Sequence, residues 1–388
     1  MAGLTVPMPI HKPYTVRFMK SFRHILFAGG AALMLSTTLS AAEMDSLPNG
    51  EVRPSAFANI VEKISEKIQL SGFFQSGYTG VLSGNVPLSG MTKGYNTLDV
   101  KRLCFTVRAN LTEELQVVYQ GDFSYGYKLL DFYATYMPVK EFGIVFGQMK
   151  TPLTIENQLP PFLVETINLA APITNYLASL DPSNTLNGSQ SGRDFGFMLK
   201  GDLFRGNLLG YKIGLFNGQG INVRDLDKNK LFTGALTLRP LRGLEVQGSF
   251  MTGKLTAVGP AVFEAGGKRV AAGETISRDR WAAGAAYTGS GWALRGEYIW
   301  GKDDASVSDG FYLTGKATLL KNFDLVASYS HASYNRTEPG RLEVDTYIAG
   351  LNYWFLPKCR LQVEYNVNDP KGSGSASHAI LAQLQFAF

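Results

Sequence analysis

From residue 67 to its end, the chain repeats one rhythm: about ten residues of alternating apolar and polar side chains, a turn, ten more, a loop. Period 2 is the mark of a strand with one apolar and one polar face. Sixteen strands are read, at 67–82, 98–110, 115–124, 129–137, 142–149, 193–202, 207–217 and 230–239, then 243–253, 280–288, 291–300, 310–319, 322–332, 343–355, 359–368 and 377–388. Strands of globular proteins average about 5–6 residues, whereas a tilted strand needs about 9–11 to cross a bilayer. The connections alternate as well. Those at 111–114, 138–141, 203–206, 240–242, 289–290, 320–321 and 356–358 are short, and longer ones fall between them, above all 150–192 and 254–279. Short turns at one end and long loops at the other predict an all-β fold, a transmembrane antiparallel β-barrel of the outer-membrane type. A soluble sandwich would alternate too, but it rarely needs strands this long.

The final strand fits that closure. Ile380, Ala382, Leu384, Phe386 and Phe388 share one face up to the last residue. A closing pair with 67–82 would keep that end ordered, and an even strand number puts both termini on the short-turn side, expected to be periplasmic. The outward face reads Leu103, Phe105 and Val107, then Leu130, Phe132 and Tyr136, and later Trp292, Leu294 and Tyr298. Aromatic residues gather near strand ends, as interfacial girdles require.

Residues 1–42 read as an export signal: a basic start at Lys20 and Arg23, an apolar run from Ile25 to Leu35, and small residues at Ser40-Ala41-Ala42. Met19 is a candidate initiator. Residues 43–66 then form a short periplasmic segment, at most one amphipathic helix over 57–64, and 67–388 the barrel. Lys12, Arg17, Lys20 and Arg23 leave with the signal and no acid does, so 37 bases against 32 acids become 33 against 32. The excess positive charge belongs to the signal, and no nucleic-acid partner is implied. Cys104 and Cys359 permit a disulfide without predicting one.

The opposite parity lines the lumen. Sixteen strands enclose more space than side chains can fill, so a water-filled channel is expected. Its wall carries Arg102, Arg108, Lys200, Lys212, Arg280, Arg295, Lys316 and Arg360 against Asp122, Asp131, Asp194, Glu245, Glu297, Asp324 and Glu364. The long loop 151–192 is apolar at Leu159–Val164 and Ile167–Pro172, and contains Glu156, Glu165 and Asp181 but no Lys or Arg. Such a loop is expected to fold into the barrel, pack its apolar side on the wall and narrow the pore. An acidic or neutral loop would then face the pore-lining bases Arg102, Arg108, Lys200, Lys212, Arg295 and Lys316.

Other functions find little in the residues. Beyond the signal only His331 and His378 remain, and Ser330 beside His331 points the other way along a strand, so a barrel-embedded enzyme lacks its nucleophile and base. Asp225, Asp227 and Asn229 alternate as calcium ligands could, but Lys228 and Lys230 interrupt them, and no cofactor is expected. A surface-binding role would use the loop 254–279, which has no aromatic cluster.

Three stretches resemble the phosphate-selective porin family of Gram-negative outer membranes: Phe146-Gly147-Gln148-Met149-Lys150-Thr151-Pro152, Arg193-Asp194-Phe195-Gly196, and Gly214-Leu215-Phe216-Asn217-Gly218-Gln219-Gly220. The resemblance implies a sixteen-stranded barrel, usually a homotrimer, passing small solutes through a pore constricted by its third loop. It also implies that Phe386 and Phe388 form the signal read by the barrel assembly machinery in outer-membrane lipid. Anion specificity in that family is associated with ladders of Arg and Lys. Here acids nearly balance the wall bases, so the expectation is a weakly selective diffusion channel for small hydrophilic solutes or ions, with a phosphate- or polyphosphate-selective channel as the alternative.

Overall fold

Sixteen strands hydrogen-bond in a closed antiparallel ring. The computed structural model describes residues 67–388 apart from 170–171, 179–191, 226, 257–263, 266–267, 270, 272, 305, 338–339 and 373. The export signal, the segment 43–66 and Asp181 lie outside the described residues. The first half of the wall is β1 (Ile68–Ser83), β2 (Asn96–Asn110), β3 (Leu115–Asp122), β4 (Lys128–Val139), β5 (Phe142–Lys150), β6 (Arg193–Leu203), β7 (Leu209–Phe216), β8 (Leu231–Leu241) and β9 (Leu244–Thr256). Two-residue strands β10 (Glu264–Ala265) and β11 (Lys268–Arg269) pair only with each other. The wall continues with β12 (Thr275–Thr288), β13 (Trp292–Asp303), β14 (Ser306–Leu320) and β15 (Phe323–Thr337). It ends with β16 (Gly340–Leu356), β17 (Cys359–Pro370) and β18 (Ser377–Ala387).

Each wall strand pairs with its sequence neighbours, and β18 closes on β1 with Phe73 opposite Ala387 and Phe74 opposite Phe386. Beyond the last paired residue, the Phe388 N–H donates to the Gly72 carbonyl at 3.0 Å. The closed ring leaves no edge, so every strand can satisfy its backbone groups within the wall.

Of the expected outward side chains, Phe105, Phe132, Tyr136, Trp292, Leu294 and Tyr298 are exposed, whereas Leu130 borders a cavity of the lumen. Aromatic rings form two rows on this surface. Phe323 stacks on Tyr353 at 4.6 Å near the short turns, and Tyr329 packs on Tyr347 at 5.1 Å nearer the long loops.

The structure corrects the expected strands where they rise beyond the apolar belt. Residues 301–309 and 333–342 read as loops, yet β13 and β14 are separated only by Asp304 and Ala305, and β15 and β16 extend to Thr337 and from Gly340. Outside the lipid both faces of a wall meet water. The hydrogen-bond ladder persists there while the apolar alternation that signals a strand disappears.

Candidate functional site

The chain between β5 and β6 turns into the barrel. It forms a four-residue helix α1 (Ile155–Gln158), a 3-10 turn at Pro161–Leu163 and a second helix α2 (Pro172–Ala178). Its apolar side chains are buried mainly against β8 to β16, and Ile167 packs beyond them on Val81, Ala379 and Leu381 of β1 and β18. Leu153 packs with Leu231, Met251, Leu255 and Ile276 of β8, β9 and β12. Ile173, Tyr176 and Leu177 pack with Ile299, Tyr312, Tyr334 and Val344 of β13 to β16.

Polar clamps hold the same contact. The Glu297 carboxylate accepts the Ile155 N–H at 2.7 Å, and that of Glu364 accepts the Ile167 N–H at 2.6 Å. Arg360 donates to the Val164 carbonyl at 2.6 Å with its guanidinium 4.9 Å from the Trp354 ring, and Arg280 donates to the Leu177 carbonyl. Arg295 pairs with Glu165 at 2.7 Å and with Glu156 at 3.6 Å. Charges taken out of water survive only when paired and hydrogen-bonded. The loop carries no base of its own, so the wall supplies Arg295 as partner to Glu156 and Glu165.

The loop leaves the lumen open chiefly along β1 to β7, and the outermost part is bordered as well by Tyr334, Val344 and Thr346 of β15 and β16 and Asn368 of β17. Three cavities follow one another along the passage and adjoin through shared lining residues. The outermost, of about 440 Å³, meets the middle one, of about 120 Å³, at Arg102, Asn168 and Leu169. The middle one meets the innermost, of about 410 Å³, at Phe73, Gln120, Lys150, Pro161 and Arg193. Bases line it throughout: Arg102 and Lys128, then Lys150 and Arg193, then Arg108, Lys200 and Lys212. Its acids are engaged. Asp131 accepts two hydrogen bonds from Arg193, at 2.8 and 3.0 Å. Asp122 accepts the N–H groups of Leu103 and Ser124 at 3.1 and 3.0 Å.

The expected site residues therefore divide. Arg102, Arg108, Lys200 and Lys212 come together on the open passage. Arg295 instead clamps the loop, and Lys316 lies 3.7 Å from Asp324 on the packed half. Glu156 and Glu165 both pair with Arg295, and Glu156 also borders the middle cavity, whose lining includes Arg102, Lys128 and Arg193. Asp181 lies outside the described residues.

Lys128, Lys150 and Arg193 belong to the passage but escaped the sequence reading. Lys150 and Arg193 are register partners at the wall's parity facing lipid, sited where β5 and β6 pass into the loop, and both turn inward. Lys150 and Arg193 each lie inside one of the three stretches that carry the family resemblance.

Those motifs converge on the foot of the loop. Asp194 accepts the Gly218 N–H at 2.5 Å, joining the second stretch to the third. Gln148 of the first stretch exchanges hydrogen bonds with Asn222 at 2.8 and 3.1 Å. Gly147 has φ of 134°, and a Cβ there would collide with the Phe132 carbonyl, so only glycine lets β5 lie this close to β4.

Ser330 is buried in the lumen, while His331 lies on the outer face with its Nδ1 2.7 Å from Asp345. In the loop after β7, Lys230 takes Asp225 at 2.6 Å, and Asp227 accepts from Thr256 and the Asn229 N–H. Burial pushes the Asp227 pKa up, but the bonds from Thr256 and Asn229 outweigh it and leave it below the ordinary value.

A family model described as phosphate-selective porin O and P matches residues 69–388. No curated protein sequence matches the chain. Among solved structures, an anion-selective porin from Comamonas acidovorans superposes with a TM-score of 0.61 at 13% identity, over 83% of this chain and 99% of that one. OmpT of Vibrio cholerae in its trimer form gives 0.56 at 12% identity, over 83% and 99%. OprB of Pseudomonas putida gives 0.59 at 10% identity, over 90% and 100%. At these identities the likeness is one of fold.

Proposed function

Because the chain belongs to the phosphate-selective porin O and P family and is an outer-membrane porin, we propose that it passes small hydrophilic solutes by diffusion with a modest preference for anions. The observation that carries this reading is the side on which the loop leaves the lumen open. The loop covers the wall where bases are used as clamps, and the remaining passage runs past Arg102, Arg108, Lys128, Lys200 and Lys212.

The preference is graded. In a water-filled passage each charge acts over about 8–10 Å at physiological salt, so a row of bases raises local anion concentration without excluding cations. Lys150 is held by the Asn157 and Leu159 carbonyls at 2.6 and 2.8 Å, and Arg193 by Asp131, which leaves fewer donors for a closed phosphate site. The proposal extends to a homotrimer in outer-membrane lipid with periplasmic termini. The trimer form of a structural neighbour supports the assembly, and the outward apolar belt supports the lipid contact.

Single-channel conductance in salts of matched mobility tests the reading. Replacing chloride by a bulky anion should lower conductance more than replacing potassium by an equally bulky cation. Equal effects would overturn the preference, and conductance saturating at low phosphate but not at equal chloride would replace it with a phosphate-specific site.

A further inference from the structure

We propose that the innermost cavity is a subsite for organic anions with an apolar body, such as aromatic or branched monocarboxylates; this rests on the anion-preferring passage above. Glu156 and Glu165 are turned to Arg295, and the loop edge that borders the cavity is the run from Pro160 to Phe162 together with Gln158, whose amide donates to the Thr151 carbonyl and accepts from Lys212. The three residues of that run are only half-buried, and the Phe162 ring packs against Phe73 of β1 with centroids 5.3 Å apart.

This edge has little to offer a hydrated ion. Pro160 and Pro161 have no N–H to donate. The neighbouring carbonyls are already taken: that of Leu159 by Lys150 at 2.8 Å, that of Pro160 by the Leu163 N–H at 2.9 Å, and that of Phe162 by Gln385 at 3.2 Å. Across the cavity stand the bases Arg108, Lys200 and Lys212, and the acid that lines it, Asp131, is taken by Arg193.

One face of the cavity is therefore apolar and the other basic. An inorganic anion passing through finds no donors on the apolar face to replace the water it sheds there. A carboxylate with a ring or branched chain can cover that face with its body and set its charge toward the bases, gaining on both sides. At about 410 Å³ the cavity lies in the range of small-molecule sites.

Bi-ionic reversal potentials of the reconstituted protein test this, with sodium benzoate set against sodium acetate. Size alone makes benzoate the less permeant ion. The proposal expects benzoate to permeate at least as well as acetate. In Phe162→Ser the benzoate-to-acetate ratio should fall about threefold, and Phe162→Leu should restore most of it, as apolar area rather than the ring is what counts. The reversal potential in a potassium chloride gradient should stay the same in both variants. Benzoate permeating below acetate in the unaltered protein, or a ratio indifferent to Phe162→Ser in an assembled variant, would overturn the subsite. Loss of anion preference in potassium chloride would instead overturn the reading it rests on, so the two failures are read from different salts.

Discussion

Lys200 of β6 and Lys212 of β7 stand directly opposite each other in the wall, and both turn into the open passage. Like charges so placed ordinarily destabilise a strand pair by about 0.2–1 kcal/mol. The nearby carboxylate that could relieve them, Asp202, is drawn 3.0 Å to Arg239. Lys212 finds only the neutral Gln158, at 3.1 Å. A pair kept this way favours anions between its members. The double substitution Lys200→Gln and Lys212→Gln should shift the potassium chloride reversal potential toward cations while the barrel assembles normally. An unchanged potential at low salt, where screening is weakest, would speak against their role.

Arg295 gathers Glu156 and Glu165 from the loop. Removing one partner of a buried ion pair costs about 3–5 kcal/mol, because the remaining charge stays buried and unpaired. Arg295→Gln should therefore loosen the loop, seen as frequent conductance steps in single-channel records. Glu156→Gln with Glu165→Gln should do the same, by stranding Arg295. A quiet open level in both, with only a selectivity shift, would mean that the acids face the pore after all.

Gly147 holds a backbone conformation that other residues adopt only under strain of about 1–3 kcal/mol, and its missing Cβ makes room for the Phe132 carbonyl. Gly147→Ala should lower the fraction of heat-modifiable, fast-migrating barrel on unheated gels. Wild-type yield of that form would show that β4 and β5 can separate without cost.

Phe388 is held by the Gly72 backbone, and its ring lies 6.3 Å from that of Phe105. Deleting Phe388 should reduce outer-membrane levels far more than Phe386→Leu, which keeps an apolar side chain on the same face. Equal levels for the two would remove the terminal residue from the assembly signal.

The barrel was legible in the sequence because lipid on one side and water on the other impose period 2 on every crossing, as at Phe195 and Phe197 against Asp194 and Lys200. It ceased to be legible at Asp303 and Asn335, where the wall leaves the lipid and the alternation has no cause. The pore bases were half legible. Arg102 and Arg108 obey the strand count, but Lys150 and Arg193 sit at strand ends, where entry into the loop overrides it. The direction of the loop acids could not be read at all. Whether Glu165 faces Arg108 or Arg295 depends on which half of the wall the loop packs against, a long-range choice made by Leu153, Ile173 and Leu177.

The central claim is that the loop leaves open a passage along the basic half of the wall. The reversal potential of the reconstituted protein across a tenfold potassium chloride gradient tests it most directly. The account predicts a potential of the sign for anion preference, with a chloride-to-potassium permeability ratio above about two, moved toward cations by the double substitution Arg102→Gln and Arg108→Gln. A cation-preferring potential, or one that the double substitution leaves in place, would contradict it.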